Sequence, residues 1–444
     1  MTRLFKNHSQ AVLATAIFLA IVGFYALAAV RFPMLYIWAT YEDLYGEWVQ
    51  FWSLIIAMAL SARLVVTRWR YRWFFLLLAL SCFYVAMEEI SWGQRVFGFS
   101  SPIYFKANNL QGETNLHNFL AGPYGTTLKA ALSYGLATAL AIYGLILPAL
   151  VRWRFRLALW ADARGVAAPP LYLWPFFGTA AYLECTPFRF NEAEIAEILV
   201  GMALALTAVH YWFVRSRFLR DEGLPSGSDG LSPVPARPWG PGLTVRIALA
   251  TLAVVLLSVA TTTAVYASPA KKAKIDRRIE NGIEKFAGRY ARFEQWNTAI
   301  SLYQRVHELK PERVSILRRL AECASSMGDQ VQFDRYIHEA LDHDLRRYAD
   351  NPNRAGVNRS LTRTYRLIGD DKNAAAHLQN ALQIGLRRVK KHPNSAGSAY
   401  SLGKTYLLLN QPALAVMHLS RAAKLDPTSK KYRKALFSAR KSLQ

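Results

Sequence analysis

Over its first 270 residues the chain alternates long uncharged apolar stretches with short polar connections, and then turns into charged, mixed sequence. Stretches long enough for a membrane helix, about 20 residues, fall at 11–30, 48–67, 73–90, 126–150, 167–187, 193–214 and 244–266. They predict an all-α chain that opens with a polytopic helical membrane bundle of about seven spans. The first stretch has an apolar core longer than the about 7–15 residues of a signal sequence, which favours an uncleaved anchor.

The charged part repeats. AISLYQRVHELKP and ALAVMHLSRAAKLDP align, and four copies start near 280, 314, 355 and 396. The fourth places Leu402, Gly403, Tyr406, Ala415, Leu419, Ala422 and Pro427 at the offsets of a tetratricopeptide (TPR) repeat; the first does so with Phe286, Ala287, Tyr290, Ala299, Tyr303, Val306 and Pro311. Small residues sit where paired helices touch, large ones fill between repeats, and Pro ends the second helix. The array resembles the TPR family, which implies an α-solenoid that binds a protein partner. The starts lie 34, 41 and 41 residues apart; the extra residues, seen in LRRYADNPNRAG and LRRVKKHPNSAG, predict longer second helices in copies two and three.

Orientation follows from the basic residues at the membrane ends. RWRYR (68–72), RWRFR (152–156) and RSRFLR (215–220) lie in alternate connections, on the side of Arg3 and Lys6, so that side and the N-terminus are cytoplasmic. Four regions are expected: a six-span membrane domain at 1–220, a Pro/Gly/Ser-rich linker at 221–243, a seventh transmembrane helix at 244–266 and the TPR domain at 270–444. The seventh span carries the repeats to the outer side, the periplasm of a bacterial inner-membrane protein. KKAKIDRR follows that span on the side that basic residues avoid, but long domains translocate regardless of charge.

The formal charge of +24 is concentrated in the repeats, where 34 Lys/Arg face 16 Asp/Glu, against 20 and 14 in the first 270 residues. That excess favours an anionic partner, such as a lipid headgroup, an acidic glycan or an acidic protein; alternatively it only solvates helix faces. An exported location argues against nucleic acid. Cys82, Cys185 and Cys323 are scattered and supply neither a disulfide framework nor a metal spacing.

Ten of the 14 acids in the membrane part fall on the outer side: Glu42, Asp43, Glu47, Glu88, Glu89, Glu113, Glu184, Glu192, Glu194 and Glu197. Glu192 and Glu194, after Asn191, suit a helix N-terminus as capping residues. Glu88, Glu89 and Glu184 end their spans, where the helix dipole disfavours a carboxylate and desolvation costs several kcal/mol, about as much as an unpaired buried charge. They are therefore candidate catalytic groups, with Arg95 as the alternative, a counter-ion to Glu88 or Glu89 that makes MEEISWGQR (87–95) a brace.

NNLQGETNLHNF (108–119) adds Glu113 and His117, four apart and on one face if helical. The candidate catalytic set is Glu88, Glu89, Glu113, His117 and Glu184; Gln94, Arg95, Asn115 and Glu47 would bind substrate; Glu89, Glu113 and His117 would hold a metal. Membrane hydrolases similar to alkaline ceramidases use several histidines, whereas His117 is the only histidine expected on the outer side of the first six spans. One His among many Glu suits Mg, Mn or Fe better than Zn, and it equally suits a metal-free general base. Trp48 and Trp92 are expected as interfacial anchors.

YEDLYGEW (41–48) resembles the acidic first outer loop of bacterial polyprenyl-phosphate-sugar glycosyltransferases, many of which end in TPR repeats, and this implicates Glu42 and Asp43. Those enzymes usually have more than seven spans. EEISWGQR with NLHN looks like multi-pass bacterial membrane proteins of no assigned activity. The expected function is an enzyme acting on a lipid or lipid-linked substrate at the outer face, a hydrolase or a glycosyl or lipid transferase, with repeats that recruit a partner or acceptor. The alternative is a non-catalytic scaffold or assembly factor for an envelope complex.

Overall fold

The computed structural model describes every residue except 1, 42–43, 67–69, 110–112, 117–124, 223–241, 428 and 443–444. Its contacts divide the chain into Met1–Ile279 and Glu280–Gln444.

The first unit is a helical bundle. Its helices are α1 (Thr2–Arg31), α2 (Pro33–Ala39), α3 (Tyr45–Val66), α4 (Arg72–Glu89), the short α5 (Gln94–Phe97) and α6 (Ile103–Asn108), then α7 (Gly125–Ala141), which runs through a π-helical turn (Ile142–Ile146) into α8 (Leu147–Arg152). α9 (Arg156–Ala163), α10 (Trp174–Glu184), α11 (Glu192–Glu222) and α12 (Leu243–Ala267) follow, and α13 (Pro269–Arg292) runs across the boundary, its residues from Glu280 on belonging to the second unit.

Among the described residues five helices are long and apolar enough to cross a membrane: Ser9–Arg31, Tyr45–Val66, Ala131–Arg152, Glu192–Arg215 and Leu243–Ala267. Seven were expected, and the two differences have separate causes. α4 has 18 residues but carries Arg72, Glu88 and Glu89, too many charges for an apolar span. The stretch at 167–187 is broken by Pro169 and Pro170, which disfavour helix in the residues before them and lack an N–H. Helix starts only at a 3-10 turn, Leu171–Leu173, and α10 tolerates Pro175 in its first turn. With 11 residues, α10 is about 16 Å long, roughly half the hydrocarbon thickness.

α3 packs on α4, α11 and α12, and α10 packs between α7 and α11. Lipid supplies no hydrophobic drive between helices, so small residues set how closely backbones approach. Gly201 of α11 meets Gln50 and Ser53 of α3; a Cβ there would lie 3.2 Å from that of Ser53. Leu54, Ala57, Cys82, Ala86 and Ala205 continue this seam as a buried cluster. The Gly201–Gln50 contact sets the third turn of α11 against the second turn of α3. The antiparallel neighbours then bring the C-terminal ends of α4 and α10 to the same end of the bundle, which is where the acids are. At the other end Arg70 pairs with Asp162, whose second oxygen accepts from Tyr71 at 2.7 Å.

The second unit is a TPR-type α-solenoid. α14 (Trp296–Leu309), α15 (Val314–Ser326), α16 (Gln330–Asp350), α17 (Ala355–Ile368), α18 (Asp371–Lys391), α19 (Ala396–Leu408), α20 (Pro412–Leu425) and α21 (Lys430–Lys441) form successive antiparallel pairs. Phe286, Ala287, Tyr290, Ala299, Tyr303 and Val306 are all buried, as are Leu402, Ala415, Leu419 and Ala422 in the last repeat. α16 and α18 have 21 residues each and α14 and α20 have 14, which accounts for the longer repeat spacing.

Candidate functional site

The turn after α4 organises the polar end of the bundle. Ser91, Trp92 and Gly93 all have positive φ (49°, 54° and 86°). For Ser91 and Trp92 this conformation costs about 1–2 kcal/mol each, so the surrounding bonds must over-determine it. Trp92 Nε1 donates to Glu88 Oε1 at 2.6 Å, and Ser91 Oγ donates to Glu113 Oε2 at 3.1 Å. Backbone bonds Trp92 N to Met87 O (2.7 Å) and Arg95 N to Ile90 O (3.3 Å) close the turn.

Two carboxylates that are adjacent in sequence therefore face different ways. Glu88, 4% exposed, accepts from Trp92 and from the Leu116 backbone N–H at 2.8 Å, pinning the following loop. Glu89 accepts from Gln50 Nε2 at 3.2 Å and, with Glu47, Trp48, Phe51, Ile90 and Arg95, lines a cavity of about 10 Å³, room for one water-sized group.

Arg95, expected beside Glu88 or Glu89, makes its ion pairs with Glu47 and, at 3.2 Å, with Glu113. Glu113 also pairs with Arg278 at 3.2 Å. Burial alone would raise the Glu113 carboxyl, but Arg95, then Arg278 and Ser91, outweigh burial and hold it below its ordinary value. Asn115, fully buried, donates to Ser91 Oγ at 3.2 Å and is held by Asn109 Nδ2 at 2.8 and 2.9 Å. Gln94 accepts from Thr114 N at 2.9 Å and donates to Ser101 Oγ at 2.8 Å.

Of the expected site residues, Glu47, Glu88, Glu89, Glu113, Gln94, Arg95 and Asn115 are brought together by these bonds. Glu113 is not on a helix, so the one-face spacing to His117 does not apply, and His117, like Glu42 and Asp43, lies outside the described residues. Among the described residues no three His, Cys, Asp or Glu side chains form a metal-binding group. Trp92 is 38% exposed and spends its N–H on Glu88; Trp48 is 7% exposed, buried rather than at an interface.

A second group of acids adjoins the first. Glu197, one turn into α11, has Glu194, Glu89, Glu184 and Glu47 as its electrostatic neighbours. Glu184, last in α10, is 9% exposed. Glu192 is a structural clamp: its carboxylate accepts the backbone N–H groups of Phe188 (2.7 Å), Arg189 (2.6 Å) and Phe190. Asn191, expected as a capping residue, donates to Thr40 O at 3.0 Å, tying α11 to the end of α2.

Ser91 and Arg278 were not among the expected residues. Ser91 stood inside the motif, and its role depends on the left-handed turn. Arg278 is 165 positions from Glu113, and no local pattern announces that pair.

In the second unit a groove of about 630 Å³ runs between the first two repeats, lined among others by Lys285, Arg292, Trp296, Tyr303, Arg319 and Cys323. Burial, then Glu322, pushes the Cys323 thiol up to about 11, so it lines the groove as a neutral group.

No family model matches the chain, and no curated protein matches it in sequence. Among solved structures it is similar to a thermophilic TPR protein of Thermus thermophilus, with 17% identity over 44% of this chain and 94% of that one and a TM-score of 0.22. It is also similar to the MamA protein, with 15% identity over 37% of this chain and 82% of that one and a TM-score of 0.17. The TPR assignment rests on the helix pairs and buried repeat positions of the chain itself.

Proposed function

We propose that the protein is a membrane-anchored platform whose TPR unit holds a protein partner outside the inner membrane. The carrying observation is that Arg95 spends its guanidinium on Glu47 and Glu113 while Glu88 is taken by Trp92 and Leu116. Side chains used in this way brace the loop; they are not free to hold a substrate. The Arg278–Glu113 pair draws the start of α13 to the same acid end, which supports delivery of the repeats to the side away from Arg70 and Asp162.

A second reading keeps the enzyme, because Glu197 gathers Glu47, Glu89, Glu184 and Glu194 around it. In that reading one of them is a general base, or several hold a divalent cation such as Mg or Mn, and the substrate is a membrane lipid or lipid-linked glycan.

Complementation of a deletion strain, with folded abundance measured in parallel, separates the two. On the platform reading Glu197→Gln and Glu184→Gln stay abundant and functional, whereas charge reversal at Lys285 and Arg292 abolishes function without loss of protein. On the enzyme reading Glu197→Gln is abundant but loses about 100-fold or more in activity.

A further inference from the structure

The second and third repeats share an arginine cradle 41 residues apart, and one member of it is missing from the third. Arg318 Nη1 donates to Ser360 O (3.3 Å), Ser360 Oγ (3.1 Å), Thr364 Oγ1 (2.9 Å) and Asp344 Oδ2 (3.2 Å). One repeat on, Arg359 Nη1 donates to Ser401 O (3.0 Å), Ser401 Oγ (3.1 Å) and Thr405 Oγ1 (3.0 Å). The residue 41 positions after Asp344 is Gly385, and Leu402 fills the space, its Cδ1 3.0 Å from where a Cβ would stand. The third repeat thus keeps the arginine and its hydroxyl cradle but has lost the internal carboxylate.

Other cations gather where that charge is missing. The electrostatic neighbours of Lys404 are Arg363, Arg359 and Lys431, all of like sign. Lys431 Nζ lies 4.6 Å over the Tyr400 ring. Asp344, the acid in range of Arg363, is already engaged: it is buried, pairs with Arg318 and Arg347, and accepts from Thr364. Residues 355–444 contain 17 Lys/Arg and 3 Asp/Glu, so nearby acids do not balance the group. Arg363 and Lys431 are exposed and Arg359 and Lys404 half-buried, which leaves the cluster open to solvent.

We infer that Arg359, Arg363, Lys404 and Lys431 form a binding site for a phosphate group, free or carried as a monoester. A single carboxylate is what the second repeat already supplies from within. Three further cations in range of Lys404 call for a polyvalent oxyanion, and guanidinium forks and ammonium groups are the side chains that hold phosphate. Burial, followed by Arg363, holds Arg359 down to about 10; burial and three like charges hold Lys404 below its ordinary value. A bound dianion would relieve both. The site stands whether or not a protein docks on the array.

The test is calorimetric titration of the full chain in detergent with sodium phosphate and with glycerol 3-phosphate, against sodium chloride and sodium succinate at matched ionic strength. Saturable phosphate binding is expected, weakened about tenfold or more by Lys404→Met and by Arg363→Gln. Neither side chain holds a hydrogen bond among the described residues, so unchanged melting temperatures are expected, and either variant alone suffices. Arg421→Gln removes an exposed charge elsewhere and should bind as the wild type. Binding of phosphate alone identifies a site for the free ion; binding of both identifies a site for an esterified group such as a lipid headgroup. Phosphate heats no larger than chloride, succinate binding as tight as phosphate, or equal loss in all three variants would overturn the proposal.

Discussion

Arg95 Nη2 lies 3.2 Å from Glu113 Oε2, joining the turn after α4 to the loop after α6. Both side chains are about nine-tenths buried, and Arg95 also holds Glu47. Removing the cation takes this partner from Glu47 and leaves Glu113 with Arg278, and breaking a buried pair costs about 3–5 kcal/mol. Arg95→Met should therefore lower the melting temperature strongly in detergent. The triple variant with Glu47→Gln and Glu113→Gln should regain much of the loss. A triple variant as unstable as Arg95→Met would show that packing of the arginine stem, not charge, holds the turn.

Glu113 also makes the bundle sensitive to acid, and the sign is set by its depressed pKa. The folded value lies below the ordinary 4.5 because Arg95, Arg278 and Ser91 outweigh burial. Its contribution is complete above that ordinary value and is lost as pH falls through the lower folded one. Melting temperatures followed downward from about pH 6 should show a drop that Glu113→Gln lacks. Identical acid profiles for the two proteins would remove Glu113 from the account.

What could be read from the sequence follows the range of the interactions. TPR offsets are local, so Phe286, Ala287 and Tyr290 announced their own burial, and a 41-residue spacing announced the two extra turns of α16 and α18. The apolar count does not see Pro169 and Pro170, which decide where α10 begins within the stretch 167–187. At the polar end, the acids were visible as anomalies but their partners were not. Which of Glu88 and Glu89 faces inward depends on a left-handed turn at Ser91 and Trp92, and Arg278 reaches Glu113 only through the fold.

Close helix contact predicts a steric sensitivity in the apolar part. A Cβ at Gly144, inside the π-helical turn, would lie 2.2 Å from Cβ and Cγ of Phe177 in α10. Gly144→Ala should therefore force the two backbones apart and cost about 1–3 kcal/mol, measured as a fall in melting temperature. Leucine keeps Cβ and Cγ, so Phe177→Leu in the same chain should restore little of the loss. A Gly144→Ala protein as stable as the wild type would mean that α10 shifts freely against its neighbour.

The solenoid carries its own buried ion pair, and the repeat register supplies an internal control. Asp344, fully buried, is shared by Arg318 at 3.2 Å and Thr364 at 2.8 Å, and Arg318 is itself only 8% exposed. Asp344→Asn keeps the shape but leaves the Arg318 charge without its counter-ion, a loss of about 3–5 kcal/mol for a buried pair. Arg359, one repeat on, already lives without a carboxylate and is more exposed, so Arg359→Met should cost less than Asp344→Asn. Chemical denaturation of the full chain, followed by helicity, compares the two directly. Equal losses would mean that the hydroxyl cradle of Ser360 and Thr364, not the carboxylate, carries Arg318.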